Sequence, residues 1–301
     1  MHVENQYVFT DQMHNIELWI KREDLIHPFV SGNKFRKLKY NLIQAGAENQ
    51  NTILTFGGAF SNHIAAVAFA GKEKGFKTIG IIRGDELIDK IADNPTLQFA
   101  KDCGMKLIFV SRATYKLKSE AQFIADLRKD NGDFYLIPEG GNNGLAIKGC
   151  EEILTEEDKQ FDFICCSVGT GGTISGLINS GMPHQKILGF PSLKGDFLKD
   201  EIRNFVKNKN WELKNDYHFE GYGKVNNELI TFINQFFKNF QISLDPIYTG
   251  KLVFGVMDLI NKEYFPNNSK ILIIHTGGIQ GIEGMNKKLA NKKLPIIDFY
   301  V

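Results

Sequence analysis

The stretch "FDFICCSVGTGGTISG", residues 161–176, passes directly from a continuous apolar run into a turn of glycines and threonines. A short apolar run of this kind indicates a strand that is buried on both faces, as in a parallel sheet. The glycines then let the backbone approach an anion closely, and the start of a helix offers unpaired N–H groups. The stretch therefore predicts a strand, a phosphate-binding turn and a helix, with a purely structural turn as the alternative.

The residues around this turn narrow the choice of phosphate ligand. No lysine follows the glycines as in GxxxxGK[ST], which disfavours a nucleoside triphosphate. The turn also lies past the middle of the chain, rather than in a first strand–helix–strand unit with a ribose-binding acid, which disfavours a dinucleotide. A small phosphorylated cofactor suits the pattern best.

Similar strand-like runs alternate with helical patterns along almost the whole chain of 301 residues. The helical patterns at 94–104 and 119–132 each close on glycine, as helix C-termini often do. This alternation predicts an α/β fold of two open, twisted, mainly parallel sheets covered by helices. The other strand-like runs are 52–58, 77–84, 106–112, 134–141, 186–192 and 270–278.

The grouping of these strands suggests two domains. Four strand-like runs lie in the first half of the chain and at least three in the second half. We expect a smaller α/β domain at 40–148 and a larger, cofactor-binding α/β domain formed by 1–39 plus 149–301. The cofactor is expected in the cleft between them.

Two further strand exits are rich in glycine and polar residues. They read "FGGAFSNH" at 56–63 and "HTGGIQG" at 275–281. Ligands of open α/β sheets bind beyond the carboxyl ends of the strands, so these exits are candidate parts of the site. The first carries more polarity than a helix cap requires, whereas the second is a weak signal by itself.

The stretch "SGNKFRKLKY", residues 31–40, crowds four cations into six positions. One interpretation is a helix capped by Asn33 whose cations all face water, since most short charge runs are solvated. The other is that Lys34 is an amine set there for chemistry. Pyridoxal 5'-phosphate needs an amine for its aldehyde and a cradle for its phosphate. Together with the turn after residue 168, the pattern favours the second interpretation.

Composition excludes several other classes of function. The formal charge of +1 argues against binding to nucleic acids or membrane surfaces, and no apolar run is long enough to span a membrane. The N-terminus is polar and acidic, unlike a signal peptide, and the four cysteines show no CxxC spacing. The neighbours Cys165 and Cys166 should point to opposite faces of a strand and stay unpaired. We therefore expect a cytoplasmic protein without a metal site.

Six motifs, taken in order, resemble one known family. They are "GNKFRKLKY", "FSNH", "VGTGGT", "GYG", "DPIYTGK" and "HTGG". The chain resembles the 1-aminocyclopropane-1-carboxylate deaminase and D-cysteine desulfhydrase family, a branch of the tryptophan-synthase-β-like (fold type II) pyridoxal-phosphate enzymes. The resemblance implies a homodimer that acts on a small amino acid.

The resemblance also implies a set of cofactor-binding residues. Lys34 is similar to the lysine that bonds to the cofactor aldehyde, Lys37 to one that contacts the phosphate, and Asn62 to one that contacts the ring 3-oxygen. The full set implied is Lys34, Lys37, Asn62, Gly169, Thr170, Gly171, Gly172, Thr173, Thr249 and Thr276.

The substrate-binding residues implied by the family are Ser61, Asn62, His63, Tyr222 and Tyr248, and the catalytic residues are Lys34, Ser61, Tyr222 and Tyr248. Ser61 matches a serine that contacts substrate and assists proton transfer. The tyrosines resemble the two active-site tyrosines, although either would otherwise be an ordinary half-buried side chain. One departure is visible: the family often has a basic residue two places beyond "SNH", where this chain reads Ile64–Ala65.

Two positions separate the subgroups of this family. Deaminases of the cyclopropane substrate carry Glu where this chain has Thr249 and an apolar residue where it has Thr276. A hydroxyl at the pyridine nitrogen leaves the ring largely neutral and a weaker electron sink, which suffices for β-elimination. We therefore expect a D-cysteine desulfhydrase that forms pyruvate, ammonia and sulfide. The alternatives are a 1-aminocyclopropane-1-carboxylate deaminase that forms 2-oxobutanoate and ammonia, or a binding protein that has lost catalysis.

Overall fold

The computed structural model describes residues 3–299 of the chain. None of the helices in this range has the length and apolar character that a membrane-spanning segment requires. The strands, in chain order, are β1 (Asn5–Asp11), β2 (Ile16–Lys21), β3 (Thr52–Gly57), β4 (Lys77–Arg83), β5 (Lys106–Val110), β6 (Tyr135–Ile137), β7 (Phe163–Val168), β8 (Lys186–Pro191), β9 (Trp211–Leu213) and β10 (Lys270–Ile274).

Helices alternate with these strands through most of the described chain. Glycine closes two of them as the sequence predicted: Gly132 directly follows the helix that ends at Asn131, and Gly104, with φ 88°, follows the cap of the helix that ends at Asp102. The helices are α1 (Asn33–Ala47), α2 (Asn62–Lys74), α3 (Pro95–Asp102), α4 (Arg112–Tyr115), α5 (Ala121–Asn131), α6 (Gly144–Cys150), α7 (Gly172–Ser180), α8 (Phe197–Arg203), α9 (Asn227–Phe240), α10 (Thr249–Asn261) and α11 (Gly281–Asn291).

The strands form two sheets. The larger has the order β1-β2-β10-β7-β8-β9 and the smaller the order β5-β4-β3-β6. Every pair is parallel except β1 with β2. All seven strand-like runs of the sequence form strands, so the α/β fold with two mainly parallel sheets is confirmed. The proposed domain bounds of 40–148 and 1–39 plus 149–301 stay a prediction.

The hairpin of β1 and β2 and the short strand β9 were not predicted. Strand β2 alternates, with Ile16, Leu18 and Ile20 fully buried between more polar neighbours. This period of two is the ordinary signature of a strand with one face on a core, so the hairpin was readable from the sequence. It extends the larger sheet by an antiparallel edge.

The larger sheet is covered on both faces, and the alternation of β10 shows how. Ile271 and Ile273 pack into the core beneath α9 and α10, whereas Leu272 and Ile274 pack into the core beneath α7. Cys165 joins the first core and Cys166 the second, and both are free thiols. The prediction that these neighbours point to opposite faces is therefore confirmed. Because both faces of the sheet pack against a core, the strands are held in place. The loops at their carboxyl ends are therefore held in place as well.

Candidate active site

The start of helix α1 packs against the segment that follows β10. Gly32, just before the helix, has φ 61° and ψ −141°, and a Cβ built on it would overlap the carbonyl oxygen of Thr276. The N–H of Asn33 donates to that carbonyl oxygen at 3.3 Å. The predicted side-chain cap is wrong, because no side chain caps α1 and the Asn33 amide instead donates to Thr173 Oγ1 at 2.8 Å. Glycine at position 32 thus brings the basic helix to the edge of the larger sheet.

The four cations of α1 do not share one environment. Arg36 is buried and donates to both carboxylate oxygens of Glu23, at 2.9 and 2.7 Å. Lys39 is exposed and pairs with Glu152 at 2.6 Å. Lys34 lines a cleft between the two sheets. The interpretation that all four cations face water is wrong.

Lys34 and Lys37 both line the cleft, Lys34 as a half-buried and Lys37 as a fully buried side chain. Burial and, secondarily, the neighbouring Lys37 lower the pKa of Lys34 to about 7. Burial also lowers the pKa of Lys37, whose Nζ donates to the carbonyl oxygen of Gly140 at 3.1 Å. With a pKa of about 7, about half of the Lys34 amine is unprotonated at neutral pH, and only that form is a nucleophile or a base. This fits the predicted reaction of Lys34 with an aldehyde, which stays a prediction.

The phosphate turn predicted at Gly169–Thr173 joins β7 to α7. Gly171 has φ 82°, and no side chain caps the helix that follows. A Cβ built on Gly172 would overlap Oδ1 of Asn142 and lie 3.2 Å from Nζ of Lys37. The turn thus combines open backbone N–H groups at a helix start with a lysine ammonium, which is the chemistry that binds a phosphate.

A fourth glycine-rich strand exit, at 138–143, was missed by the sequence reasoning. It follows β6, and the carbonyl oxygen of its Gly140 accepts the Lys37 hydrogen bond. A Cβ on Gly140 would lie 2.9 Å from Cγ2 of Thr170, and the amide of Asn142 donates to the Thr170 carbonyl oxygen at 2.8 Å. The paired glycines and asparagines directly after a strand were the available signal. This segment closes the phosphate turn from the side of the smaller sheet.

The exit from β3 supplies the next wall of the cleft. Ser61 Oγ accepts from the N–H of Ile64 at 3.3 Å, so this serine does cap α2. Asn62 reaches the loop after β10, since a Cβ on Gly278 would lie 2.8 Å from its Nδ2. Two of the three exits singled out from the sequence therefore meet across the cleft.

His63 is buried, with 2% of its surface exposed, and lines the same cleft. The hydroxyl of Thr55 donates to the carbonyl oxygen of Ile137 at 2.8 Å and so accepts from His63 Nε2–H at 2.9 Å. Nδ1 is then unprotonated, and it has no hydrogen-bond partner among residues 3–299. Burial, with the charges of Lys34 and Lys37, holds the pKa of His63 well below its usual value. The histidine is a neutral acceptor at the cleft floor.

The two predicted tyrosines form an edge-to-face pair with ring centroids 6.1 Å apart. A Cβ on Gly169 would lie 3.2 Å from Cε1 of Tyr248, which places this ring beside the phosphate turn. Burial, with the neighbouring Tyr222, raises the pKa of Tyr248 well above its usual value. Tyr248 therefore keeps its proton at neutral pH and acts as a donor or an orienting group.

Asp245, which the sequence reasoning missed, holds the segment that carries Tyr248. Its buried carboxylate accepts from the N–H groups of Ile247, Tyr248 and Thr249 at 2.9, 3.0 and 2.8 Å. The hydroxyl of Thr249 also donates to it at 2.8 Å. Thr249 is fully buried behind the cleft and does not line it, which departs from the expectation of a cofactor contact. The aspartate in "DPIYTGK" was the available signal.

Lys251, also missed, fixes the loop that carries Tyr222. Its buried ammonium donates to the carbonyl oxygens of His218 and Gly221 at 2.8 and 2.9 Å. Burial lowers the pKa of Lys251 to about 8. The lysine at the end of "DPIYTGK" therefore joins the two tyrosine segments into one unit.

The cleft bounded by these residues has a volume of about 670 Å³. Among the predicted site residues only Gly172 and Thr249 are absent from its walls. The predicted residues that line it are Lys34, Lys37, Ser61, Asn62, His63, Gly169, Thr170, Gly171, Thr173, Tyr222, Tyr248 and Thr276. The space is that of a typical small-molecule site.

Comparison with known proteins agrees with this geometry. The sequence profile of the family described as "Pyridoxal-phosphate dependent enzyme" matches residues 7–277. The match includes α1, the phosphate turn and the strand that ends before Thr276. Fold and site together thus define a pyridoxal-phosphate-dependent enzyme.

Similar proteins narrow the class further. A provisionally named 1-aminocyclopropane-1-carboxylate deaminase of Pyrococcus horikoshii is 31% identical over 91% of this chain and 88% of its own. The mitochondrial bifunctional D-cysteine desulfhydrase/1-aminocyclopropane-1-carboxylate deaminase of Arabidopsis thaliana is 31% identical over 88% of this chain and 73% of its own. A crystal structure described as an ACC deaminase homologue matches with TM-score 0.84 and 29% identity, over 97% of this chain and 94% of that one. The chain belongs to the 1-aminocyclopropane-1-carboxylate deaminase and D-cysteine desulfhydrase family of pyridoxal-phosphate enzymes.

Pyridoxal 5'-phosphate is the cofactor of this family, and the residues present fit it. The glycines of the turn let its backbone come close to a phosphate, and at Gly172 no side chain fits because a Cβ would overlap Oδ1 of Asn142. Lys37 supplies a positive charge at the same place, and Lys34 supplies an amine whose pKa is about 7. Each chemical requirement of the cofactor therefore has a residue in the cleft.

Proposed function

We propose that this enzyme is a D-cysteine desulfhydrase-like lyase. It removes a β leaving group from a small D-amino acid, with D-cysteine first, and forms pyruvate, ammonia and sulfide. Pyridoxal phosphate, when bound, supplies an electron-withdrawing ring that makes the substrate Cα–H acidic. The residues around the cleft bind and orient the substrate and transfer its protons.

One observation carries the choice of elimination: the cleft wall at the end of β10 offers hydroxyls. Thr276 lines the cleft, and its Oγ1 lies 3.1 Å from Ser167 Oγ. Among residues 3–299 the one carboxylate that lines the cleft is Glu139, which already pairs with Tyr115 at 2.8 Å and Lys118 at 3.4 Å. Thr276 would then hold the pyridine nitrogen without protonating it. A weaker electron sink requires a leaving group such as a thiolate.

We assign the steps of the reaction to three side chains. Lys34, with a pKa of about 7, takes the Cα proton when its amine is free. Ser61, at the start of α2, orients the substrate and assists this transfer. The Cβ–S bond then breaks, and HS⁻ leaves with the bonding electrons, stabilised by a hydrogen bond that the protonated Tyr248 is proposed to donate. Water replaces nitrogen at the α-carbon, so that pyruvate and ammonia are released.

The second candidate is deamination of 1-aminocyclopropane-1-carboxylate to 2-oxobutanoate and ammonia. The names of the relatives support it, because a 27% identical protein of Rhizobium radiobacter is also called 1-aminocyclopropane-1-carboxylate deaminase. The Arabidopsis thaliana protein carries both activities in its name. Thr276 is the feature of this chain that favours the first candidate over the second.

The test is keto-acid release from a panel of D- and L-amino acids and the cyclopropane acid, with the cofactor content of each sample measured by absorbance. We expect D-cysteine to be turned over much faster than the cyclopropane acid. Thr276→Ser, which keeps the hydroxyl, should preserve this ratio, whereas Thr276→Leu should shift it toward ring opening. Brisk ring opening with no turnover of D-cysteine would show that the subgroup is wrong. A loaded protein inactive on the whole panel would favour the binding-protein alternative.

Two properties of the whole protein complete the proposal. We propose a homodimer, as is usual for this fold type, and light scattering after gel filtration tests it. We also propose a cytoplasmic location, which the four free cysteines support because a reducing compartment keeps thiols unpaired. Fractionation of cells with an antibody to the chain tests the location.

A further inference from the structure

We propose that, among substrates that extend beyond the β-sulfur of D-cysteine, the cleft prefers those whose side chain ends in an acidic group, and that Arg83 recognises that group. This inference rests on the proposed function, because it names the substrate class of the same site. It concerns the mouth of the cleft, by which we mean the part lined by Arg83, Arg112, Tyr222, Lys224 and Lys288. The cofactor end is the part lined by Lys34 and Lys37.

Arg83 is the last residue of β4 and lines the cleft. It has no acidic partner within residues 3–299. The neighbouring Arg112 also lines the cleft, but its guanidinium is paired with Glu86 at 2.6 Å. Of these two arginines at the mouth, only Arg83 is therefore available to an anion from solution.

The contacts of Arg83 direct it along the wall that leads to Ser61. Its guanidinium carbon lies 5.7 Å from the centroid of the Tyr115 ring. A Cβ built on Gly58 would lie 3.5 Å from its Nη2, so the side chain lies against the loop that joins β3 to α2. One face of the guanidinium is thus supported by an aromatic ring, while its fork of N–H donors stays open. That fork matches a carboxylate or a sulfonate through two parallel hydrogen bonds.

Arg83 also acts across the cleft on the opposite wall. Burial is the main influence on the pKa of Tyr222 and raises it, and the charge of Arg83 opposes that rise. Tyr222 belongs to the loop held by Lys251, on the side of the larger sheet. The guanidinium therefore faces the space that a substrate side chain must cross between the two sheets.

The charges that line the mouth leave a surplus of positive charge. Lys224 and Lys288 join the two arginines there, and Glu139 is the one acidic side chain on the cleft walls within residues 3–299. Glu139 is already balanced by Lys118. A surplus cation in a cleft attracts and orients anionic substrates.

The α-carboxylate of the substrate has another place to bind. In the proposed substrate set, Ser61, Asn62 and His63 stand at the start of α2, where the first N–H groups lie outside the helix's own hydrogen-bond ladder. Arg83 lies at the end of the neighbouring strand β4, beside Gly58 and not at the helix start. The arginine is thus free for a group beyond the β-carbon.

A matched pair of substrates tests the proposal: S-carboxymethyl-D-cysteine and S-ethyl-D-cysteine. Each loses its Cα proton and its β-thiolate, and water converts the rest to pyruvate and ammonia, so only the distal charge differs. We expect kcat/KM to favour the acidic substrate by roughly ten- to a hundredfold, as for a hydrogen bond to a charged group. Arg83→Ala should abolish the preference, and Arg83→Lys should keep part of it. Arg128→Ala is the matched control and should leave the preference unchanged, because Arg128 lies outside the cleft lining beside Asp133.

Several results would overturn the proposal. Equal losses on both substrates in Arg83→Ala would place the α-carboxylate on Arg83. Wild-type enzyme that eliminates β-chloro-D-alanine but does not prefer the acidic partner would refute the inference and leave the proposed function standing. If nothing is eliminated, the proposed function fails, and calorimetric affinities of the two cysteine derivatives for the cofactor-loaded protein decide the role of Arg83. Equal affinities for the two derivatives, or a preference for the acidic one that survives Arg83→Ala, would refute the proposed role of Arg83.

Discussion

The two ends of the cleft are built in different ways. At the phosphate end, Gly172 and Gly140 leave room for backbone and for the buried ammonium of Lys37. At the mouth, the cleft is lined by Arg83, at the end of β4, and by Tyr222, in the loop that Lys251 holds. The phosphate end is therefore defined by backbone geometry and short sequence motifs, whereas the mouth exists only after folding. We therefore expect substitutions at the phosphate end to change cofactor affinity and substitutions at the mouth to change substrate choice.

The largest effect is expected from Lys34→Ala, which removes the reactive group between the two ends. Activity should fall by at least about a thousandfold, within the range that acid–base catalysis contributes. The fold should survive, because Lys34 forms no hydrogen bond or ion pair within residues 3–299. Activity, cofactor absorbance and far-ultraviolet circular dichroism measure the three quantities.

Borohydride reduction of the wild-type protein gives the check on this assignment. Peptide mapping should find the pyridoxyl group on Lys34. A label on Lys37 or Lys39 would move the reactive amine elsewhere, and Lys39→Ala serves as the control because that amine is exposed and pairs with Glu152.

A smaller effect, confined to the phosphate end, is expected from Gly172→Ala. The new methyl group would occupy the space beside Asn142 and Lys37, so cofactor affinity should fall by roughly ten- to a hundredfold, the loss of one charge-assisted contact. Gly144→Ala is the matched control, because a Cβ there meets nothing within 4 Å. Equilibrium dialysis of cofactor gives the affinities. Unchanged retention in Gly172→Ala would make the turn purely structural.

Gly171→Val is a less specific test of the same turn. Gly171 has φ 82°, a conformation that strains a β-branched residue, and a Cβ there would lie 3.0 Å from Ile202. The variant should lose both cofactor and stability. Gly172→Ala separates the two because the φ of Gly172 is not positive.

The same contrast explains what the sequence could predict. The strands and the turn at 169–173 were readable because each is set by local periodicity and glycine. The roles of Asp245 and Lys251 were not, since a buried charge reveals itself only through the distant carbonyl and N–H groups that it satisfies. Thr249 shows the same limit: its place in a motif suggested the cofactor, but the helix start turns it toward Asp245.

At the mouth, Tyr222→Phe should reduce kcat/KM by about tenfold, the usual scale of one lost hydrogen bond to a charged group, and leave cofactor affinity unchanged. The ring pair with Tyr248 needs no hydroxyl, so the packing should persist. Tyr7→Phe is the control, because its hydroxyl lies on the exposed edge strand and contacts only Thr10 within the described chain. If cofactor affinity fell as much as activity, the prediction would be wrong, because Tyr222 would then contribute to cofactor binding as well as to substrate turnover.

The smallest effect is a shift in a pH profile. In cofactor-free protein, reductive methylation of Lys34 should rise with pH and reach half its maximum near pH 7, because only the free amine reacts and its pKa is about 7. Lys39, whose pKa is raised by Glu152, should react slowly in the same sample and serves as the internal reference. Lys37→Met removes a like charge, so the Lys34 midpoint should move to higher pH. The move should be modest, since burial is the larger cause. A midpoint near 10.5 in the wild type would contradict the prediction. It would show that the Lys34 amine is solvated and that neither burial nor Lys37 lowers its pKa.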